Sequence, residues 1–227
     1  MNNFYKISII LPAYNEDENL NLLIPEIYRV LRVDAHEIIV VNDGSTDNTR
    51  LVLNSLMEKI RTLKSINLEK RMGQSFAVWE GVKRSTGNLI LTKDADFQTD
   101  PGEIPMMIKG LDGVDMVCGY RKNRNDSYIK KISSVIANRT RRIVLNSDII
   151  DSACGFKVFK KECIDVIDFF DGMHRFMPDL FLINKFKVRQ VEISHLPRNF
   201  GESKYNIKNR LKKSLKDLIM VRKIKNN

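Results

Sequence analysis

Cysteine is scarce in this chain, with 3 in 227 residues, at Cys118, Cys154 and Cys163. An odd set without paired spacing indicates neither a disulfide framework nor a zinc site. A reducing cytoplasm is the simplest compartment for such a chain. Long apolar runs are also missing, and none approaches the length needed to span a bilayer. The opening residues, Met1-Asn2-Asn3-Phe4-Tyr5-Lys6, hold no signal-peptide pattern. Internal repeats, low-complexity tracts and flexible linkers are absent. No helix-turn-helix, zinc module or aromatic RNA-binding signature is present either, so nucleic acid is not an expected partner.

What is present is a soluble, globular composition, 43% hydrophobic and 29% charged, with a net charge of +10. The length suffices for one α/β domain with a real core. A basic balance of this size suits phosphates or anionic lipid. The excess is located. The acidic turns keep the first half nearly balanced, and much of the surplus lies between Lys122 and Arg142 and beyond Lys204. That points to a partner bound at a particular place.

Hydrophobic patterning predicts strands near Ile7 to Leu11, Glu37 to Val41, Ser65 to Leu68, Asn88 to Lys93, Val114 to Cys118 and Phe156 to Phe159. A last strand falls around Val188, Val191 and Ile193. Helices are predicted over Asn19 to Leu31, with Pro25 as a liability, and from a Thr46 or Asp47 cap to about Ile60. Others cover Gly73 to Arg84, stopping at Gly87, then Pro101 to Leu111 and Arg175 to Asn184. Tyr120 to Asp126 reads as a polar loop. Strands alternating with helices imply a mostly parallel sheet with helices on both faces. Residues 1–200 form the expected domain, and 201–227 a basic loop and amphipathic helix. Two basic amphipathic helices stand out. One carries Ile129, Ile132, Ile136 and Ile143, and the other Ile207, Leu211, Leu215, Leu218 and Ile219. Either an apolar stripe packs on the core with its lysines in water, or the lysines frame a contact with anionic lipid.

The chemistry concentrates in Thr92-Lys93-Asp94-Ala95-Asp96-Phe97-Gln98. Carboxylates at i and i+2 leave a strand end on one face. Placed side by side they repel, and both stay ionised only beside positive charge. A hard divalent cation held by one or two carboxylates and a substrate's phosphates meets that need. Ligands of parallel sheets bind beyond the carboxyl ends of the strands. Two further polar turns follow strands, at Tyr14-Asn15-Glu16 and Asn42-Asp43, and all three turns should share one rim.

In order, these motifs are Leu11-Pro12-Ala13-Tyr14-Asn15-Glu16, Val41-Asn42-Asp43-Gly44-Ser45-Thr46-Asp47, Gly73-Gln74 with Ala77 and Gly81, and Asp94-Ala95-Asp96-Phe97-Gln98. Asp151 with Gly155-Phe156-Lys157 follows, then Gly172-Met173-His174-Arg175-Phe176 and Gly201-Glu202-Ser203-Lys204-Tyr205. Over almost its whole length the chain resembles the family 2 glycosyltransferases of GT-A fold, and within them the polyprenyl-phosphate glycosyltransferases related to dolichol-phosphate-mannose synthase. The resemblance implies that Pro12, Ala13, Tyr14 and Glu16 hold the base and ribose of a nucleotide sugar, and that Asp43 contacts the base. It places Asp94 beside the ribose and the metal region. Asp96, with Gln98, would bind Mg²⁺ or Mn²⁺ on the diphosphate. Arg121 and Lys204 match positions that meet phosphates, and Lys130 and Lys131 positions near the acceptor phosphate.

Two departures are visible. Asn42 replaces a common aspartate, and Arg71-Met72 stands where many relatives have Asn-Phe. Many relatives also continue into membrane-spanning helices where this chain stops at Asn227, so peripheral attachment at the inner membrane face is expected.

The implied reaction is inverting transfer from a UDP- or GDP-sugar to polyprenyl phosphate. An ionised phosphate acceptor needs no general base, whereas a glycan hydroxyl does. Asp151 and Asp179 are the candidate bases in that second case. A non-catalytic nucleotide-binding or membrane-adaptor module is the alternative from another class.

Overall fold

The computed structural model describes residues 6–31, 36–121, 128–197, 200 and 207–226, with side chains left out at 128–134 and 207–213. Lys204 lies outside the described residues, as do the side chains of Lys130 and Lys131.

Among the described residues seven strands form one sheet, in the order β3-β2-β1-β4-β6-β5-β7. They are β1 (Ile7–Ala13), β2 (His36–Asn42), β3 (Leu63–Asn67), β4 (Leu89–Thr92), β5 (Met116–Arg121), β6 (Lys157–Lys160) and β7 (Val188–Ile193). All neighbours pair in parallel except β6, which runs antiparallel to both β4 and β5. The helices are α1 (Asp17–Leu31), α2 (Thr49–Lys59), α3 (Gln74–Arg84), α4 (Ile104–Lys109), α5 (Tyr128–Leu145), α6 (Met177–Ile183) and α7 (Ile207–Asn226). This is the α/β class expected, with a mostly parallel sheet and a C-terminal helix.

The period-2 alternation of the strands divides the core. Ile9, Leu11, Ile38, Val40, Leu89 and Leu91 pack against Leu20, Leu23, Ile24, Ile27, Leu53 and Met107 from α1, α2 and α4. On the opposite face Ile10, Ile39, Val41 and Ile90 meet Ala77, Val78 and Val82 of α3, Leu180 and Phe181 of α6, and Leu218 and Val221 of α7. Each fully buried side chain of this kind stabilises the fold by about 1.5–3 kcal/mol. Gly81 lets α3 lie close on the sheet, since a Cβ there would stand 2.5 Å from Ile10 Cγ2.

Several predicted boundaries move, each for a local reason. α1 runs straight through Pro25, because Pro25 and Asn21, whose carbonyl loses its partner, face water. The cap of α2 falls at Asn48, while Asp47 Oδ1 accepts the Thr49 N–H at 3.0 Å. α3 ends at Ser85, not Gly87, and the Gly87 N–H instead donates to Ser8 Oγ at 2.8 Å. The helix predicted over Pro101 to Leu111 splits into a 3-10 turn, Pro101–Glu103, and α4. β5 starts later than predicted and carries Tyr120 and Arg121 as strand residues, not loop.

Two members of the predicted α5 stripe do not face the core. Ile136 and Ile143 are exposed, and Arg141 is buried in their stead. Arg141 Nη1 donates to both carboxylate oxygens of Asp179, at 2.6 and 2.8 Å.

At the N-terminal end of the sheet, Glu37 gathers its neighbours. It accepts from Ser8 Oγ at 2.6 Å, Lys64 Nζ at 2.5 Å and the Thr86 backbone N–H at 2.6 Å. Burial works to raise the pKa of this carboxyl. The hydrogen bonds from Lys64, Ser8 and Thr86 outweigh burial and hold it down to about 2.

Candidate active site

The three polar turns do converge, at the carboxyl ends of β1, β2 and β4. They are stitched together before any ligand is considered. The Asn15 N–H donates to Ser45 Oγ at 2.9 Å, and the Thr46 N–H donates to Asn15 Oδ1 at 2.8 Å. Asp43 accepts from the backbone N–H of Met72 at 2.6 Å and of Gly73 at 2.9 Å. Gly44, at φ +67°, turns the chain beneath Arg71, and a Cβ there would stand 2.6 Å from the Arg71 nitrogen. Residues 70–73 are therefore docked on the end of β2.

The result is a cleft of about 150 Å³ walled by Pro12, Ala13, Tyr14, Glu16, Asp43, Arg71, Gln74, Asp94 and Asp96. It contains every residue that the sequence suggested for the nucleotide. Two further polar side chains, Arg71 and Gln74, line it without a role in the expected nucleotide site. Arg71 lies over the Tyr14 ring, 4.0 Å from its centroid. Gln74 Nε2 donates to Asp94 Oδ1 at 2.7 Å. Arg71 was visible only as a departure from a family pattern, and Gln74 only as part of a motif.

Asp94 lies two residues beyond the end of β4 and its place is tightly determined. Thr92 Oγ1 donates to the Gly155 carbonyl at 2.8 Å, drawing the turn before β6 against the end of β4. Asp96 Oδ1 accepts the Gln98 N–H at 3.2 Å, with Phe97 between them in the left-handed region at φ 55°. The Gln98 carbonyl accepts the Leu196 N–H at 2.8 Å. Asp94 and Asp96 reach the cleft wall, whereas Gln98 does not line it.

Positive charge lies beneath these carboxylates. Lys93 is 1% exposed, and its Nζ donates to Thr99 O at 2.8 Å and Thr99 Oγ1 at 2.5 Å. Lys157 is equally buried and donates to the Cys154 carbonyl. Burial pushes Lys93 down to about 8, against the pull of Asp96 and Asp94. Burial lowers Lys157 as well. Asp94 is shifted upward, first by burial and next by the charge of Asp96, while Arg121, Lys157 and Lys93 oppose the rise. The fixed cations thus offset only part of the cost of placing two carboxylates together. A bound divalent cation would favour the ionised form of both. Among the described residues no three His, Cys, Asp or Glu converge as a metal cage. The donor set fits a hard ion that draws most of its oxygen ligands from a diphosphate and water.

Arg121 and Asp151, expected to meet phosphate and to serve as a base, form an ion pair with each other. Arg121 Nε and Nη2 donate to the two Asp151 oxygens at 2.8 and 3.1 Å. Neither lines the cleft, though Arg121 is close enough to bias Asp94. Asp179 is held by Arg141, as described above. His174 Nδ1 and Ser75 Oγ are 2.5 Å apart, and the Gly172 N–H donates to the same Oγ at 2.8 Å. The next residue, Arg175, reaches α7, donating to Ser214 Oγ at 2.8 Å and Asp217 Oδ2 at 2.6 Å. The three cysteines are buried free thiols.

Residues 8–167 match the family model described as glycosyl transferase family 2, and the chain belongs to that family. Among solved structures it is similar to glucosyl-3-phosphoglycerate synthase from Mycobacterium tuberculosis. In the complex with phosphoglyceric acid the TM-score is 0.70 at 19% identity, covering 97% of this chain and 80% of that one. In the complex with Mn²⁺ and uridine-diphosphate-glucose it is 0.73 at 17% identity, covering 96% and 79%. A mannosyltransferase from Pyrobaculum calidifontis in complex with GDP-Man and Mn²⁺ aligns at TM-score 0.60 and 17% identity, over 86% of this chain and 58% of that one. At such identities the likeness is one of fold.

Proposed function

We propose that this protein is a metal-dependent, inverting glycosyltransferase that moves a sugar from a nucleoside-diphosphate sugar to polyprenyl phosphate at the cytoplasmic face of a membrane. The observation that carries the donor half is the pairing of Asp94 with Asp96 on the wall of a cleft shared with Tyr14, Asp43 and Arg71. Tyr14 and Arg71 offer a ring and a guanidinium plane for a base to stack on. Asp96, with Asp94 beside it, would hold Mg²⁺ or Mn²⁺ on the diphosphate. When bound, such an ion neutralises the charge that grows on the departing phosphate. Lys93 and Lys157 add a fixed positive field from below, and Gln74 orients Asp94 by its hydrogen bond. The fold-level neighbours bound to UDP-glucose or GDP-mannose with Mn²⁺ support a donor of this class.

For the acceptor, the support is chemical. The carboxylates considered as bases, Asp151 and Asp179, are each committed to an arginine. An ionised lipid phosphate attacks without a base, so such an acceptor is compatible with this arrangement. Arg121, Lys130, Lys131 and Lys204 remain the candidates for meeting acceptor or donor phosphates. The competing reading is transfer to a glycan hydroxyl.

The test is calorimetric titration of UDP and GDP, with and without Mn²⁺, followed by incubation of the matching nucleotide sugar with polyprenyl phosphate. Metal-dependent binding and a product cleaved by mild acid are expected. An acid-stable product would favour the hydroxyl acceptor, and no nucleotide binding at all would sink the reading.

A further inference from the structure

The first turn of α1 holds a side chain that the packing of the helix does not explain. Leu20, Leu23, Ile24, Ile27 and Leu31 are buried along α1, and Asn19 joins them at 1% exposure. At helical spacing Asn19 shares a row with Leu23 and Ile27, where a leucine would suit the core. Its Oδ1 has no hydrogen-bond partner among the described residues. A buried acceptor left unpaired costs stability. Its Nδ2 donates to Glu16 Oε2 at 2.7 Å. Turning the amide over would set Oδ1 against that carboxylate, so the contact with Glu16 decides which end stays unpaired.

Glu16 is held at three points. Its N–H donates at 3.0 Å to the Oγ1 of Thr49, a fully buried residue that begins α2. Its carbonyl accepts the Leu20 N–H at 2.9 Å, opening α1. Asn19 supplies the third point, on the carboxylate itself. The same Glu16 lines the cleft beside Pro12, Ala13 and Tyr14, away from the metal-side carboxylates' own hydrogen bonds to Gln74 and Gln98.

Taking the donor to be a nucleoside-diphosphate sugar, as proposed above, we infer that Asn19 is a positioning residue that holds the Glu16 carboxylate for the nucleoside half of that donor. An ionised carboxylate only accepts, so its partner is a ribose hydroxyl or an N–H of the base. Such a charge-assisted bond is strong and depends on direction. A carboxylate ordered before the ligand arrives loses less freedom on binding. The unpaired Oδ1 is what that ordering costs the folded chain.

Asn19→Leu keeps the branched outline of the amide and removes both its donor and its unpaired acceptor. Asn19→Ala serves as a second variant that cannot crowd the core. Each full-length chain is titrated with UDP and with GDP in the presence of Mn²⁺, and melting temperatures are read on the same preparations. Asn19→Leu is expected to melt at or above wild type. Its affinity for the nucleotide that wild type binds should fall about tenfold, the order of one hydrogen bond to a charged group. Asn19→Ala should lose the same affinity whatever it loses in stability. In a Glu16→Ala background, Asn19→Leu should change affinity by about twofold or less, because the group it orients is gone. Wild type that binds neither nucleotide would overturn the donor reading and the role of Asn19 together. With wild-type binding intact, three results would overturn the role of Asn19 alone. They are variants that bind like wild type, losses of affinity that follow the melting temperature, and an undiminished tenfold loss where Glu16 is absent.

Discussion

Gly155 touches Asp94 so closely that a Cβ on it would stand 2.5 Å from the Asp94 Cγ. The turn before β6 therefore braces the carboxylate that Gln74 holds from the other side. Gly155→Ala should push Asp94 off its position while the fold survives. A misplacement near 1 Å at a reacting centre costs on the order of 100-fold in rate. A drop of that size in kcat, with a melting temperature within a few degrees of wild type, is the expected outcome. Unchanged turnover would show that Asp94 can move without consequence.

Asp96→Ala should abolish transfer and remove the metal dependence of nucleotide binding. The side chain faces the cleft, so thermal stability should hardly change. A transfer assay reads the first effect, and calorimetric titration of nucleotide with and without Mn²⁺ reads the second.

Arg71→Ala removes the guanidinium over Tyr14. A cation–π contact is worth about 0.5–2 kcal/mol. Nucleotide affinity should fall by roughly twofold to thirtyfold, since about 1.4 kcal/mol is tenfold. A Kd series over UDP and GDP checks this, and a larger loss for one of them would identify the base that Arg71 reads.

The Arg141–Asp179 pair separates a structural acid from a catalytic one. Asp179→Ala leaves a buried guanidinium unpaired and should destabilise the fold by about 3–5 kcal/mol. Replacing both members with apolar residues of similar volume should recover much of that loss. A denaturant series on the single and double variants measures it. Full stability in Asp179→Ala with loss of activity would return Asp179 to the list of bases.

Glu37 sets an acid limit. Its folded pKa, about 2, lies below the ordinary 4.5. Its contribution is therefore complete above about pH 4.5 and is lost as the pH falls toward 2. Glu37→Gln should lower stability at pH 7, and the difference from wild type should shrink as the pH drops through that window. Melting curves between pH 7 and 2.5 test the sign.

Much of this was legible in the sequence. The buried strands announced themselves because residues 38–41 of β2 and 89–91 of β4 are unbroken apolar runs, and the site because its acids sit where those strands end. Long-range electrostatics could not be read there. Nothing in the sequence says that Arg121 meets Asp151, thirty residues on, or that Arg141 turns inward while Ile136 and Ile143 turn out. Helical spacing specifies which residues share a face but not whether that face meets core or solvent. Arg71 illustrates another limit, because its position depends on Asp43 gripping the backbone of the two residues that follow it.

Arg175 fastens α7 to the turn carrying His174, and His174 meets Ser75, one residue from the amide that holds Asp94. The path from α7 to Asp94 thus runs through side-chain hydrogen bonds joined by two peptide links. A protein moored through α7 would work at one fixed height above its support. Acceptors whose reactive group stands at that height would be within reach, and those sunk deeper or carried further out would not, whatever their chemistry.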